Sequence, residues 1–244
     1  MKHLFPLQVP AARPSSAILL LVTQCVCFFY LPLAANAQTV PITSSGLNTQ
    51  VSPPTTLPGG QTQYNITGGT RPSGGGNLFH SFGEFGVPTN NIANFLNDSG
   101  LSTSNILGRI TGGNVSSIFG MIQTTGFEGA NLFLMNPAGF LFGPNAAVSI
   151  GGMMTFTTAD YLRFQGTETL FNNASTPESL SPLSIAPVAA FGFLGPNPAA
   201  INFEGGQLTV AEGTGLALVG GNINLQPDAS GTPSSITAPG RPIL

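Results

Sequence analysis

The chain has 244 residues, 41 % of them apolar and only 6 % charged, and six Lys and Arg against nine Asp and Glu give a formal net charge of −3. Charged residues usually make up about a quarter of a globular chain, so Asn, Ser, Thr, Gln and Gly must cover this surface. So few basic groups exclude a nucleic-acid partner, whose phosphates must be neutralised, and apolar residues that recur throughout exclude wholesale disorder despite 32 Gly and 21 Pro.

The first 37 residues stand apart. Lys2 and Arg13 precede an apolar run from 17 to 33, and Ala35-Asn36-Ala37 forms a small-x-small cleavage site. The pattern predicts a signal peptide over 1–37 that engages the Sec machinery, with Gln38 as the new N-terminus. A membrane anchor is the alternative for the same run. Both cysteines, Cys25 and Cys27, lie inside it, so the mature chain carries no disulfide and relies on its core and backbone ladders. It keeps four Arg, no Lys and one His, His80, against nine acids.

Residues 38–76 are rich in Pro, Gly, Thr and Gln, and apolar patches around Val51 and 64–66 predict one or two edge strands. NLFHSFGEFGVP, 77–88, has too many breakers for a helix and reads as a short irregular segment or bent strand. NNIANFLNDSG, 90–100, predicts a brief turn of helix. From there the chain is a series of short apolar strands closed by Gly, Asn or Pro: NILGRITGG, VSSIFGMIQTTG and ANLFLMNPAG. The stretch 201–225 alternates strictly, pairing Ile201 with Phe203, Leu208 with Val210, Leu216 with Leu218 and Ile223 with Leu225 on one face each.

Asn136-Pro137-Ala138-Gly139 suits a type I turn, and Gly143-Pro144-Asn145-Ala146, with Asn third, suits type II. GFLFGPNAA at 139–147 returns as GFLGPNPAA at 192–200, which hints at a repeat. Strands this short are stable only if successive passes of chain stack. The fold class expected is therefore all-β, a right-handed parallel β-helix of roughly 22 residues per coil and about nine coils. A β-sandwich is the rival.

The acids are isolated in sequence, which speaks against a polysaccharide lyase or hydrolase unless stacking gathers them. His80 has no second His or Cys for a metal and reads as a partly buried histidine bonded to backbone. Arg109, the single charge in NILGRITGG, pairs with an acid on an adjacent coil, faces solvent or contacts a partner.

The blocks NLFHSFGEFGV, NILGRITGGNVSSIFGMI and ANLFLMNPAGFLFGPNAAVSIGG resemble the N-terminal secretion domain of filamentous haemagglutinin-type exoproteins, the two-partner secretion or haemagglutination-activity domain. The strand-rich 201–225 is generic β-helix matter. The resemblance covers 38–160 and implies a right-handed β-helix with an N-terminal cap and extra-helical strands. Residues 161–244 then continue the coils as the start of a passenger, in a truncated chain. It also implies recognition by the periplasmic domains of an outer-membrane two-partner transporter, passage in the unfolded state, and folding outside a Gram-negative-type cell. The family's Asn-Pro-Asn-Gly motif falls on Asn136, Pro137, Ala138 and Gly139, with Ala138 replacing the second Asn. A second, upstream Asn-Pro is missing; Asn197-Pro198 lies downstream. These four residues, with Asn105, Arg109 and Asn114, are the candidates for transporter recognition. The function implied is secretion targeting of an adhesin-like exoprotein, with a surface glycan or other cell-surface ligand as a further partner. No catalytic residue, metal or cofactor is expected. A free-standing polysaccharide-cleaving enzyme and a purely structural surface protein are the alternatives.

Overall fold

The computed structural model describes residues 42–173 and 183–239; the expected leader and its cleavage site lie outside the described residues. Strands make up about 50 % of the described residues and helix 2 %, so the fold is all-β. Among the described residues the single 3-10 turn is Pro72–Gly74.

The chain opens with β1 (Thr43–Gly46), β2 (Thr49–Val51) and β3 (Thr55–Thr56), followed by the longer β4 (Thr62–Gly68), β5 (Asn77–Glu84) and β6 (Asn91–Leu96). Short strands β7 (Asn105–Ile110), β8 (Ser116–Ile118), β9 (Met121–Thr125), β10 (Asn131–Met135), β11 (Phe140–Phe142), β12 (Ala147–Ser149) and β13 (Met153–Thr157) come next. An excursion carries β14 (Tyr161–Phe164), β15 (Leu170–Asn172) and β16 (Val188–Gly192). The chain then continues through β17 (Ile201–Glu204), β18 (Gln207–Val210), β19 (Gly215–Val219), β20 (Ile223–Gln226) and β21 (Ser235–Thr237).

Three sheets share these strands in rotation. Sheet 1 is β1-β5-β7-β10-β13-β19, sheet 2 is β8-β11-β17-β20, and sheet 3 is β2-β4-β6-β9-β12-β18-β21 with β3 on β4. From β7 onward the chain visits sheets 1, 2 and 3 in that order and then starts again, leaving the cycle only for the excursion. Each return is parallel to the previous visit, as in Leu132↔Ile106, Phe140↔Ser116 and Ala147↔Met121. Only β1, β2 and β3 pair antiparallel with this set, along β5 and β4. β14, β15 and β16 form a separate antiparallel sheet 4.

Alternation decides what is buried. Ile106 and Ile110 of β7, Leu132 and Leu134 of β10, Phe140 and Phe142 of β11, and Ile201 and Phe203 of β17 join one core shared by sheets 1, 2 and 3. Phe142 stacks on Phe203 with centroids 4.7 Å apart, and Phe156 meets Phe140 and Phe142 edge-on at 5.2 and 4.8 Å. Such pairs contribute about 0.5–1.5 kcal/mol each beyond their burial. Gly108 occupies an inward position where a Cβ would come within 2.8 Å of Leu134 and 3.1 Å of Phe82, so a larger residue would have to displace these packed side chains.

Several local expectations are corrected. Residues 77–84 are a regular eight-residue strand, and 91–96 are strand rather than a helical turn. Parallel partners on both sides, β4 and β9, decide the second case, because Ala93 and Phe95 then enter the core. The turn Gly143-Pro144-Asn145-Ala146 closes with Ala146 N–H on the Gly143 carbonyl at 3.1 Å, but Asn145 has no positive φ, so it is not type II. The two echoed segments are not equivalent: the first forms β11, whereas the second begins at the last residue of β16 and runs as an irregular loop into β17. Successive Asn rungs lie 28 and 26 residues apart early on and 22 late, and the longest parallel run among the described strands has six, β4-β6-β9-β12-β18-β21. The edge strands and the excursion take up the residues that an unbroken array of nine coils would need.

Candidate functional site

The corner after β10 is built around Asn136, which is wholly buried. Gly139 N–H donates to the Asn136 carbonyl at 2.9 Å, closing the turn, and Ala138 keeps a negative φ, in accord with type I. The Asn136 side chain then ties three pieces together. Its Oδ1 accepts the Ala138 N–H at 2.9 Å, and its Nδ2 donates to the Asn114 carbonyl and to Ser116 Oγ, each at 2.9 Å. Its own N–H donates to the Thr157 carbonyl at 2.9 Å. Aspartate offers no such donor, so Asn is the residue type that can brace this corner against the previous winding. Gly139 has φ +107°, and a Cβ there would lie 2.8 Å from the Ala200 carbonyl oxygen.

Pro137 and Ala138 are half-buried at the same corner, and Asn114 is exposed, its Nδ2 on Glu84 Oε1 at 2.7 Å. The structure thus gathers Asn114, Asn136, Pro137, Ala138 and Gly139. A cleft of about 430 Å³ opens beside Pro137, lined also by Asp160, Tyr161, Leu170, Asn172, Asn173 and Leu194. Its one carboxylate, Asp160, accepts the Leu194 N–H at 2.7 Å.

Asn105 and Arg109 lie at the two ends of β7, away from the corner's hydrogen-bond network. Asn105 is the middle rung of a ladder. Asn131 Nδ2 donates to Asn105 Oδ1 at 3.0 Å, Asn105 Nδ2 to Asn77 Oδ1 at 2.8 Å, and Met153 N–H to Asn131 Oδ1 at 2.9 Å. The ladder's other end, Asn77 Nδ2, donates to the carbonyls of Ser184 and Ala186, both at 2.8 Å. Stacked identical amides in a parallel, in-register sheet repeat the same bond from strand to strand. Asn77 was not singled out from the sequence, although NLF, NIL and NLF at 77, 105 and 131 repeat the pattern that produces the ladder.

Arg109 is 1 % exposed on the outer face of sheet 1. Its Nε donates to Ser81 Oγ at 3.0 Å and one terminal nitrogen to the Asn172 carbonyl at 2.9 Å, with the guanidinium 5.3 Å from the Phe171 ring centroid. It does not face solvent.

His80 points into the core at 1 % exposure, deeper than expected and without the expected backbone partner. Thr49 Oγ1 accepts the Ser81 N–H at 3.0 Å and shares a hydrogen bond with His80 Nδ1 at 3.2 Å, its direction set by the imidazole tautomer. Burial, helped by the Arg71 charge, lowers the His80 pKa to about 3. A neutral imidazole between Phe82 and Phe95 is a core group, not a general base near pH 7. Among the described residues no three His, Cys, Asp or Glu side chains come together as a metal cluster would need.

A search of curated proteins finds no match. A family model described as the TPS secretion domain matches residues 37–242, which takes in the corner, the ladder, the excursion and the strands beyond residue 160. The chain belongs to the two-partner secretion domain family, whose members target exoproteins for secretion and are not an enzyme family.

Proposed function

We propose that this domain directs a secreted, adhesin-like exoprotein to the periplasmic domains of a dedicated outer-membrane two-partner transporter. The chain crosses the membrane unfolded and winds into a right-handed β-helix outside the cell. The observation that carries this reading is the family match over 37–242. The rotation of parallel strands through three sheets supports the winding: each new strand needs only the edge left by the previous visit, so folding proceeds coil by coil without nucleotide energy. The cysteines at 25 and 27 precede the expected cleavage site, so no disulfide obstructs threading.

Burial also favours recognition before folding. Asn136 and Arg109 are 0 and 1 % exposed in the folded domain. If they, with Pro137, Ala138, Gly139, Asn105 and Asn114, contact the transporter, they do so from an extended chain, whose backbone can add to a periplasmic sheet edge by β-augmentation. On this reading a leader over 1–37 delivers the chain through Sec, and a cell-surface glycan is the final ligand. Coexpression with and without the cognate transporter tests the proposal. Export only in its presence is expected. Equal amounts outside the cell in both cases contradict it.

A further inference from the structure

We infer that β14, β15 and β16, within the excursion between β13 and β17, are a clasp, a separately opening unit that closes over sheet 1 after the windings beneath it have formed. Elsewhere the chain passes from sheet 1 to sheet 2 in a few residues, as from Met135 to Phe140; here it leaves at Thr157 and returns at Ile201. In between it builds sheet 4, none of whose strands pairs with sheets 1, 2 or 3.

The clasp is held by side chains, not by shared β-ladders. Its Phe164 and Phe171 meet Phe79 of β5 edge-on, at 5.9 and 5.0 Å. The Asn172 carbonyl accepts from Arg109, 63 residues earlier, and the Ser184 and Ala186 carbonyls accept from Asn77, 107 and 109 residues earlier. Without the clasp, the outer face of sheet 1 would present Phe79, Leu107 and Met135 to water, all at 0 % exposure in the closed state. Two donors aimed outward from that face, on Asn77 and Arg109, would lose their carbonyl partners.

The two cores are also distinct. The inner core of sheets 1, 2 and 3 shares no residue with the outer cluster of Phe79, Leu107, Met135, Leu162, Phe164 and Phe171. Opening the clasp therefore leaves the inner stack and every parallel ladder in place. This makes it a unit that can unfold below the global transition. A chain that emerges N-terminus first exposes the apolar face of β5, β7 and β10 until residues 161–192 arrive. Closure then follows the windings beneath it, those of β5, β7 and β10, whichever partner the chain has met before.

Hydrogen exchange read by mass spectrometry on the mature, full-length chain tests this. The amides of β14 and β16 are expected to exchange at least about tenfold faster than those of β7, β10 and β11, through an opening that leaves the latter protected. Phe171→Ala should raise exchange in the clasp on the order of a hundredfold, the scale of losing a buried ring, and leave β10 and β11 unchanged. Equal exchange of clasp and windings in the wild-type chain would overturn the inference. So would a variant that accelerates both regions together.

Discussion

β7 is buried on both faces, but by different means. Its inward residues, Ile106 and Ile110, pack within the winding and against the windings next to it, so their neighbours come from chain passes 26–28 residues away. Its outward residues, Leu107 and Arg109, are covered by the excursion, from more than 50 residues further on. The inner face is specified by a local rule, alternation with a turn after each strand, and any strand obeying it extends the stack. The outer face depends on one long-range docking event, and no periodicity in the sequence announces it.

The largest expected effect is on the inner side. Phe142→Ala removes the partner of Phe203 and Phe156 and should destabilise the whole domain by about 3–5 kcal/mol, read as a lower urea midpoint in a single transition. If the cost stayed below about 1 kcal/mol, the inner stack would not be what holds the windings.

At the junction of the two regions, Asn77→Ala removes its two hydrogen bonds to the clasp and the first rung of the ladder, leaving the bond from Arg109. A loss of about 2–3 kcal/mol is expected, concentrated in the clasp. Asn136→Ala is expected to lose a similar amount, because Ser116 and the Asn114 carbonyl lose their donor and Ala138 its acceptor. Its effect should fall on β8, β10 and β11 rather than on the clasp. Site-resolved exchange on the two variants separates the inner bracing from the outer.

Acid acts on the inner region through His80. Its folded pKa is lowered from 6.5 to about 3, so the unfolded chain binds the extra proton between those values. The stability linked to a neutral His80 is fully present above pH 6.5 and is lost as pH falls toward 3, about 2 kcal/mol by pH 5. Asp228 adds to the slope at lower pH with the same sign. The Ser230 hydroxyl first, then the Thr232 N–H, holds its carboxyl below the usual range. Urea titrations at pH 7 and pH 5 check the difference, and His80→Leu should lose the part due to imidazole.

The smallest effect is expected at the last described winding. Ile223 and Leu225 stand in register with the buried Ile201 and Phe203, yet are 44 and 48 % exposed, since no further described strand covers them. Ile223→Ser should cost about 0.5 kcal/mol or less by chemical denaturation, against several for the corresponding change at Ile201.

What the sequence revealed follows the same division. The strands at 201–204, 207–210, 215–219 and 223–226 were legible because alternation and glycine corners are local signals. The type I corner at Asn136 was legible from its Asn-Pro-x-Gly spacing. The braces that Asn136 throws to Asn114 and Ser116 were not, because they cross to the preceding winding. The burial of Arg109 was not legible either: a lone charge in NILGRITGG looks exposed until Asn172, 63 residues later, covers it. The strand at 91–96 was misread as a helical turn because its identity comes from parallel neighbours on both sides.

The account rests on chain returning, in register, to a strand it laid down one pass earlier. Leu141 of β11 pairs with Ser117 of β8 on one side and Asn202 of β17 on the other. Nitroxide labels on Ser117→Cys and Asn202→Cys, in a mature chain free of other cysteines, should therefore sit about 10 Å apart, two strand spacings, before allowance for the label arms. Strong dipolar broadening in continuous-wave electron paramagnetic resonance is the predicted result. Spectra that match the sum of the two single-label spectra would mean that these strands are not two rungs of one sheet, and would contradict the account.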